Sequence, residues 1–181
     1  LASSPAAAAV FEYSDQTAFL SGLTSIAVED FNDGTVDAPF TVSSDAGFVG
    51  GSAWSDRVDP NGATTTWSFD SAVNGFGGLW DLAGPGGQGT GIALTITLMG
   101  GAVELLSFQL PNSLSGTFFG FISDESFTSV LFTAGTQGGV AETYTLDNLT
   151  TGVAPVPVPA AFGLMALALG SLGALRRRRR T

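Results

Sequence analysis

A chain of 181 residues has the length of one domain, and this one carries 16 acids and six arginines but no lysine, histidine or cysteine. Those absences exclude a Ser-His-Asp triad, a thiol nucleophile, an ordinary zinc site, a Schiff-base lysine and any disulfide. All 16 acids fall within residues 1–155 beside a single arginine, Arg57, a net charge of −15 that repels nucleic acid and anionic head groups.

The first nine residues, L-A-S-S-P-A-A-A-A, look like the end of a secretory signal peptide. Ala7 and Ala9 fit the small-x-small rule, with cleavage before Val10. The body, residues 10–152, holds 18 of the 19 aromatics, which is too apolar for a disordered acidic tail. Near its start a short helix is expected, capped by Ser14 or Asp15, with Phe19 and Leu20 on its apolar face and Gly22 as its stop.

Strands follow. Thr64 to Asp70 alternates with Trp67 and Phe69 on one face. Gly91 to Leu98 places Ile92, Leu94, Ile96 and Leu98 on one side and Ala93, Thr95 and Thr97 on the other, the period-two pattern of a half-buried strand. Thr117 to Ser123 and Thr128 to Thr133 read as two further short strands. Val140 to Leu149 sets Val140, Glu142, Tyr144 and Leu146 together. Glycine pairs and the D-P-N-G turn at Asp59 to Gly62 punctuate these runs. Eight to ten short strands without intervening helices predict an all-β body, a jelly-roll-like β-sandwich.

The glycine-rich stretch Asn74 to Gly91 contains Gly84, Gly86 and Gly89 in G-x-G-x-x-G spacing. A dinucleotide site needs a strand before that loop and a helix after it. A strand follows here, so the stretch is expected to be a mobile loop.

Three chemistries stay open for the body. Structural calcium needs several carboxylate or carbonyl oxygens; side-by-side early and late strands would bring Glu29 or Asp30 near Asp147 and Asn148, with Asp56 and Asp59 as a second candidate. Sugar binding needs exposed aromatic platforms; Trp54, Trp67 and Trp80 are available, with Trp80 beside Asp81 the leading candidate, Trp54 the next, and Trp67 assigned to the core. Glycoside hydrolysis needs two facing carboxylates, drawn from Asp124 with Glu125 or Glu104 with Glu142. Consecutive strand residues point to opposite faces, and no pair stands out. The expected body is therefore non-catalytic.

A proline-rich hinge, residues 153–159, leads into an uncharged stretch, residues 160–175, and then Arg176, Arg177, Arg178, Arg179 and Arg180 before Thr181. With Val158 and Pro159 the apolar run approaches the length of a membrane-spanning helix, roughly 18 residues. Arginines beside such a span stay on the cytoplasmic side, so residues 176–181 form a basic cytoplasmic tail and the body lies outside.

Hinge, span and arginine cluster together resemble the PEP-CTERM class of bacterial sorting signals. Val156, Pro157, Val158, Pro159 and Ala160 are similar to its V-P-L-P-A variant, with valine in place of leucine. The A-F-L, E-D-F and E-T-Y-T-L-D-N-L strings of the body also resemble bodies that precede such tails. The resemblance implies an exosortase-type membrane protease as partner, processing near the proline motif, and an exported protein at the cell surface or in the extracellular matrix. The body is expected to be a non-catalytic binding or structural module associated with exopolysaccharide. The readings from other classes are a carboxylate-based glycosidase and a calcium-stabilised structural protein.

Overall fold

The computed structural model describes residues 9–82, 89–98 and 108–155. The expected signal remnant up to Ala8, Gly84, Gly86, Glu104, the Val156–Ala160 motif, the apolar span and the arginine run lie outside those residues. Among the described residues no helix is long and apolar enough to cross a membrane.

The chain order is β1 (Val10–Tyr13), α1 (Gln16–Ser21), β2 (Thr24–Glu29), β3 (Phe40–Ser44), β4 (Phe48–Val49), β5 (Trp54–Val58), β6 (Thr65–Asp81), β7 (Ile92–Leu98), β8 (Phe108–Leu110), β9 (Thr117–Ala134) and β10 (Glu142–Val153). The result is a β-sandwich made from antiparallel strands.

Its frame is the long β6–β9 pair, whose register shifts between Ser68 and Gly75. Such irregularities bend strands. On one side of the bend β6 pairs with β3, and β9 pairs with β7. On the other side β6 pairs with β10, and β9 pairs with β1. The two halves fold over one another and share an aromatic core. Phe76 from one half meets Phe132 from the other at 5.8 Å, and Trp80 meets Phe132 at 5.4 Å. The alternating faces read from the sequence are the buried ones: Ile92, Leu94 and Ile96 in β7, and Glu142, Tyr144 and Leu146 in β10. Val140, grouped with that last set, lies before the strand and is exposed.

At six residues α1 is far below the length that sustains an isolated helix, about 12–15 residues. It persists by local chemistry and by burial. Asp15 Oδ1 accepts the Ala18 amide at 2.7 Å, which makes Asp15 the cap, and Gly22 closes the helix through the Phe19 carbonyl. Phe19 is fully buried in a second, smaller cluster with Leu23, Phe118 and Ile122, so α1 covers the back of the sheet.

Two expectations are corrected. Thr117 to Ser123 and Thr128 to Thr133 are one continuous strand, β9, which runs through the Asp124–Ser126 segment instead of turning there. The stretch from Asn74 is not a loop either, because residues 74–81 complete β6. Its glycines make room for neighbours. A Cβ on Gly75 would come within 2.6 Å of Leu23 Cδ1, one on Gly77 within 2.9 Å of the Gly120 backbone, and one on Gly78 within 2.5 Å of Leu146 Cδ1. Close approach, and not turning, explains glycine in that strand.

Candidate functional site

Where β6 and β9 bend, the outer surface opens into a groove of about 550 Å³, within the usual size of small-molecule clefts. One wall is Phe11 of β1. Alternation in that four-residue strand turns Val10 toward the core and leaves the Phe11 ring 58% exposed. Ser123, Asp124 and Ser126 of β9 and the segment after β10, Ala154 and Pro155, supply much of the rest.

The groove is braced from beneath. Asn74 Nδ2 donates to the Ser123 carbonyl at 3.1 Å, and its Oδ1 accepts the Ala154 amide at 3.2 Å. Both ends of that amide thereby tie β6 to β9 and to the chain leaving β10. Asp124 exchanges two bonds with Ala9: its amide donates to the Ala9 carbonyl at 3.1 Å, and its Oδ1 accepts the Ala9 amide at 2.8 Å. An exposed aromatic face, one carboxylate and a nearby hydroxyl at Ser126 can hold a ligand that is apolar on one face and hydroxylated at its rim. Few polar groups on a largely apolar wall is the ordinary make-up of a binding site.

The tryptophans expected to be sugar platforms are core side chains. Trp80 is fully buried, its indole N–H donating to the Phe119 carbonyl at 3.0 Å. Trp54 is 5% exposed and packs edge-on against Trp67, with ring centroids 5.4 Å apart. Neither ring offers a face to a ligand. Asp81, expected beside the platform, lies in β6 opposite Thr145. Trp67 is fully buried, as expected of a core strand.

Early and late strands do lie side by side, with Glu29 opposite Leu149 in the β2–β10 ladder. Both carboxylate oxygens of Glu29 and one each of Asp30 and Asp147 are nevertheless in local use. Glu29 is 5% exposed, with Oε1 accepting the Phe31 amide at 2.8 Å and Oε2 accepting the Asp37 amide at 2.6 Å. Asp30 Oδ1 accepts the Asn32 amide, which holds its carboxyl below the ordinary value. Asp147 Oδ1 accepts the amide of Asn148, which is itself in the left-handed region at φ 49°.

The second candidate pair separates in environment. Asp56 is buried, accepting the Arg57 amide at 2.7 Å and the Thr65 hydroxyl, to which Tyr144 donates at 2.8 Å. Burial, then the nearby Asp56 charge, pushes the Tyr144 phenol well above its ordinary value. Asp59 caps the D-P-N-G turn through the Asn61 amide and pairs with Arg57 at 3.0 Å. Among the described residues no group of three or more acids is placed to hold a metal ion.

The carboxylates considered for hydrolysis do not converge among the described residues. Asp124 and Glu125 are consecutive in β9. Glu142 is fully buried, its Oε2 accepting the Gly91 amide at 2.6 Å and its Oε1 without a hydrogen-bond partner. Burial raises its pKa.

Fold and groove together define a β-sandwich with an open, aromatic-walled cleft at its bend. No protein-family model matches the chain, and no curated protein matches it. Among solved structures it is similar to a lysine-to-alanine variant of CBM29-2, from work on ligand recognition by family 29 carbohydrate-binding modules. The TM-score is 0.51 at 10% identity, over 75% of this chain and 100% of that one. Identity that low carries the fold alone.

Phe11 is the residue that sequence reasoning passed over. A four-residue strand bears a weak alternation signal, and nothing in V-F-E-Y says which face the sheet will cover.

Proposed function

We propose that this chain is an exported surface protein whose jelly-roll body binds polysaccharide, without turning it over, in the groove beside Phe11. The carrying observation is the 58% exposed Phe11 ring on the wall of a 550 Å³ groove that also holds Asp124 and Ser126. An aromatic ring packs against the apolar face of a pyranose while a carboxylate and a hydroxyl take its hydroxyls. Similarity of fold to a carbohydrate-binding module supports the same reading. Two-carboxylate hydrolysis needs a second acid facing the first across roughly 5–10 Å. Asp124 is the one acid among the residues lining this groove, which favours binding over catalysis.

The C-terminal part of the reading rests on residues 153–181. Residues 160–175 hold the precursor in the membrane with the body outside, and an exosortase-type protease processes the chain near Val156–Ala160. The surface protein is then a matrix component associated with exopolysaccharide.

A polysaccharide pull-down with the full chain tests the binding half. Retention should fall at least about tenfold for Phe11→Ala and survive a chelator; sugar release into the supernatant would overturn the non-catalytic reading. Mass spectrometry of surface-released protein tests the other half. A C-terminus near Ala160 is expected, and an intact Arg176–Arg180 run would leave only a membrane anchor.

A further inference from the structure

We propose that the glycan taken by the groove is uncharged, and that acidic polysaccharides are turned away from it. This rests on the glycan-binding reading above and adds the charge class of its ligand.

The one charged side chain among the residues lining the groove is acidic. Asp124 is exposed at its rim. Asn74 is buried and gives one of its two amide N–H groups to the Ser123 carbonyl. Arg57 is the one basic side chain among the described residues. It is paired with Asp59 and sits in β5, which borders the Glu142–Leu146 half of β10, whereas the groove lies beyond Val153 at that strand's other end.

A uronate or sulfate sugar entering the groove would lose water beside a carboxylate and meet no counter-charge. A neutral sugar has the opposite experience. Its hydroxyls donate to Asp124, and a hydrogen bond to an ionised acceptor is among the stronger kinds. The net charge of −15 over residues 1–155 adds a long-range repulsion against polyanions. Cationic amino-sugar polymers would be drawn to the whole acidic surface rather than to the groove, and salt would release them.

The test uses the full-length chain, immobilised, with Arg176, Arg177, Arg178, Arg179 and Arg180 each replaced by serine so that no cationic run draws polyanions, against soluble glucan, mannan and galactan polymers and their carboxymethylated derivatives, which keep the backbone and add the charge. At least one uncharged polymer should be retained, with little change between about 0.05 and 0.5 M salt. Its carboxymethyl form should bind about tenfold more weakly, part of the loss returning in high salt or in Asp124→Asn. Asn at that position keeps an acceptor for the Ala9 amide. Phe11→Ala should abolish retention of the uncharged polymer while Phe11→Tyr preserves it. Equal or tighter binding of a carboxymethyl polymer, still lost in Phe11→Ala, would overturn the charge assignment and leave the glycan groove standing. Retention of no polymer, or retention indifferent to Phe11→Ala with the fold intact, would overturn the groove itself and this inference with it.

Discussion

Leu23 lies directly over Gly75, so close that a Cβ on the glycine would stand 2.6 Å from Leu23 Cδ1 and 2.8 Å from Cδ2. The leucine belongs to the short connection after α1, and the glycine to the middle of β6. Their contact is how a six-residue helix is fastened to the back of the sheet. Gly75→Ala should destabilise the protein by about 1–3 kcal/mol, the usual cost of overpacking. A urea midpoint that falls at constant slope is the expected readout. Leu23→Ala in the same chain should recover part of the loss, making the double mutant less than additive.

Trp80 and Phe11 should separate stability from binding. Trp80→Ala removes a fully buried ring and the donor to the Phe119 carbonyl, a loss of about 3–5 kcal/mol. Any polysaccharide retention it loses should follow its unfolding curve by circular dichroism. Phe11→Ala should change the unfolding free energy by no more than about 0.5 kcal/mol while binding disappears, since its ring is largely in solvent. Equal effects of Phe11→Ala on both measurements would make Phe11 structural.

Two sets of carboxyls give the stability profile opposite slopes. Amide hydrogen bonds from Asn32, Thr35 and Asn61 hold Asp30, Asp33 and Asp59 below their ordinary value of 3.8. Each therefore contributes stability above pH 3.8 that is lost as pH falls through the lowered value. Glu142 runs the other way. Burial raises it above its ordinary 4.5, so between those two values the folded chain holds more protons than the unfolded one, and stability declines as pH rises. Glu142→Gln should flatten the decline above pH 4.5 and leave the acid limb in place. Denaturation midpoints collected across that range check both slopes.

Glu29 organises the connection between β2 and β3 through the Phe31 and Asp37 amides. Glu29→Ala should cost about 1–3 kcal/mol for each amide left without an acceptor. A chelator should leave the melting temperature of the unaltered protein where it was. A drop on chelation, absent in Glu29→Ala, would make this carboxylate a metal ligand.

Much of the fold is legible from local chemistry. The Asp15 cap and the Gly22 stop need only neighbours within a few residues, and the β7 alternation needs only its own seven positions. The glycines of Asn74 to Asp81 were misleading for a definite reason. Composition associates glycine with turning, yet Gly75, Gly77 and Gly78 answer to Leu23, Gly120 and Leu146, which come from distant parts of the chain. The site was harder still. Tryptophan beside aspartate reads as a platform until a second sheet half is laid over it.

The sequence by itself determined which residues share a face, where α1 begins and ends, and that the body would be acidic and without lysine, histidine or cysteine. It determined these because each depends on periodicity, on contacts a few residues apart, or on composition alone. Only the tertiary structure decided which faces are covered. The bend in the β6–β9 pair brings Phe132 against Trp80 and buries that ring, while β1, pairing with the near half of β9, keeps Phe11 at the rim. Burial is a property of what packs from elsewhere in the chain, and strand periodicity is silent on that.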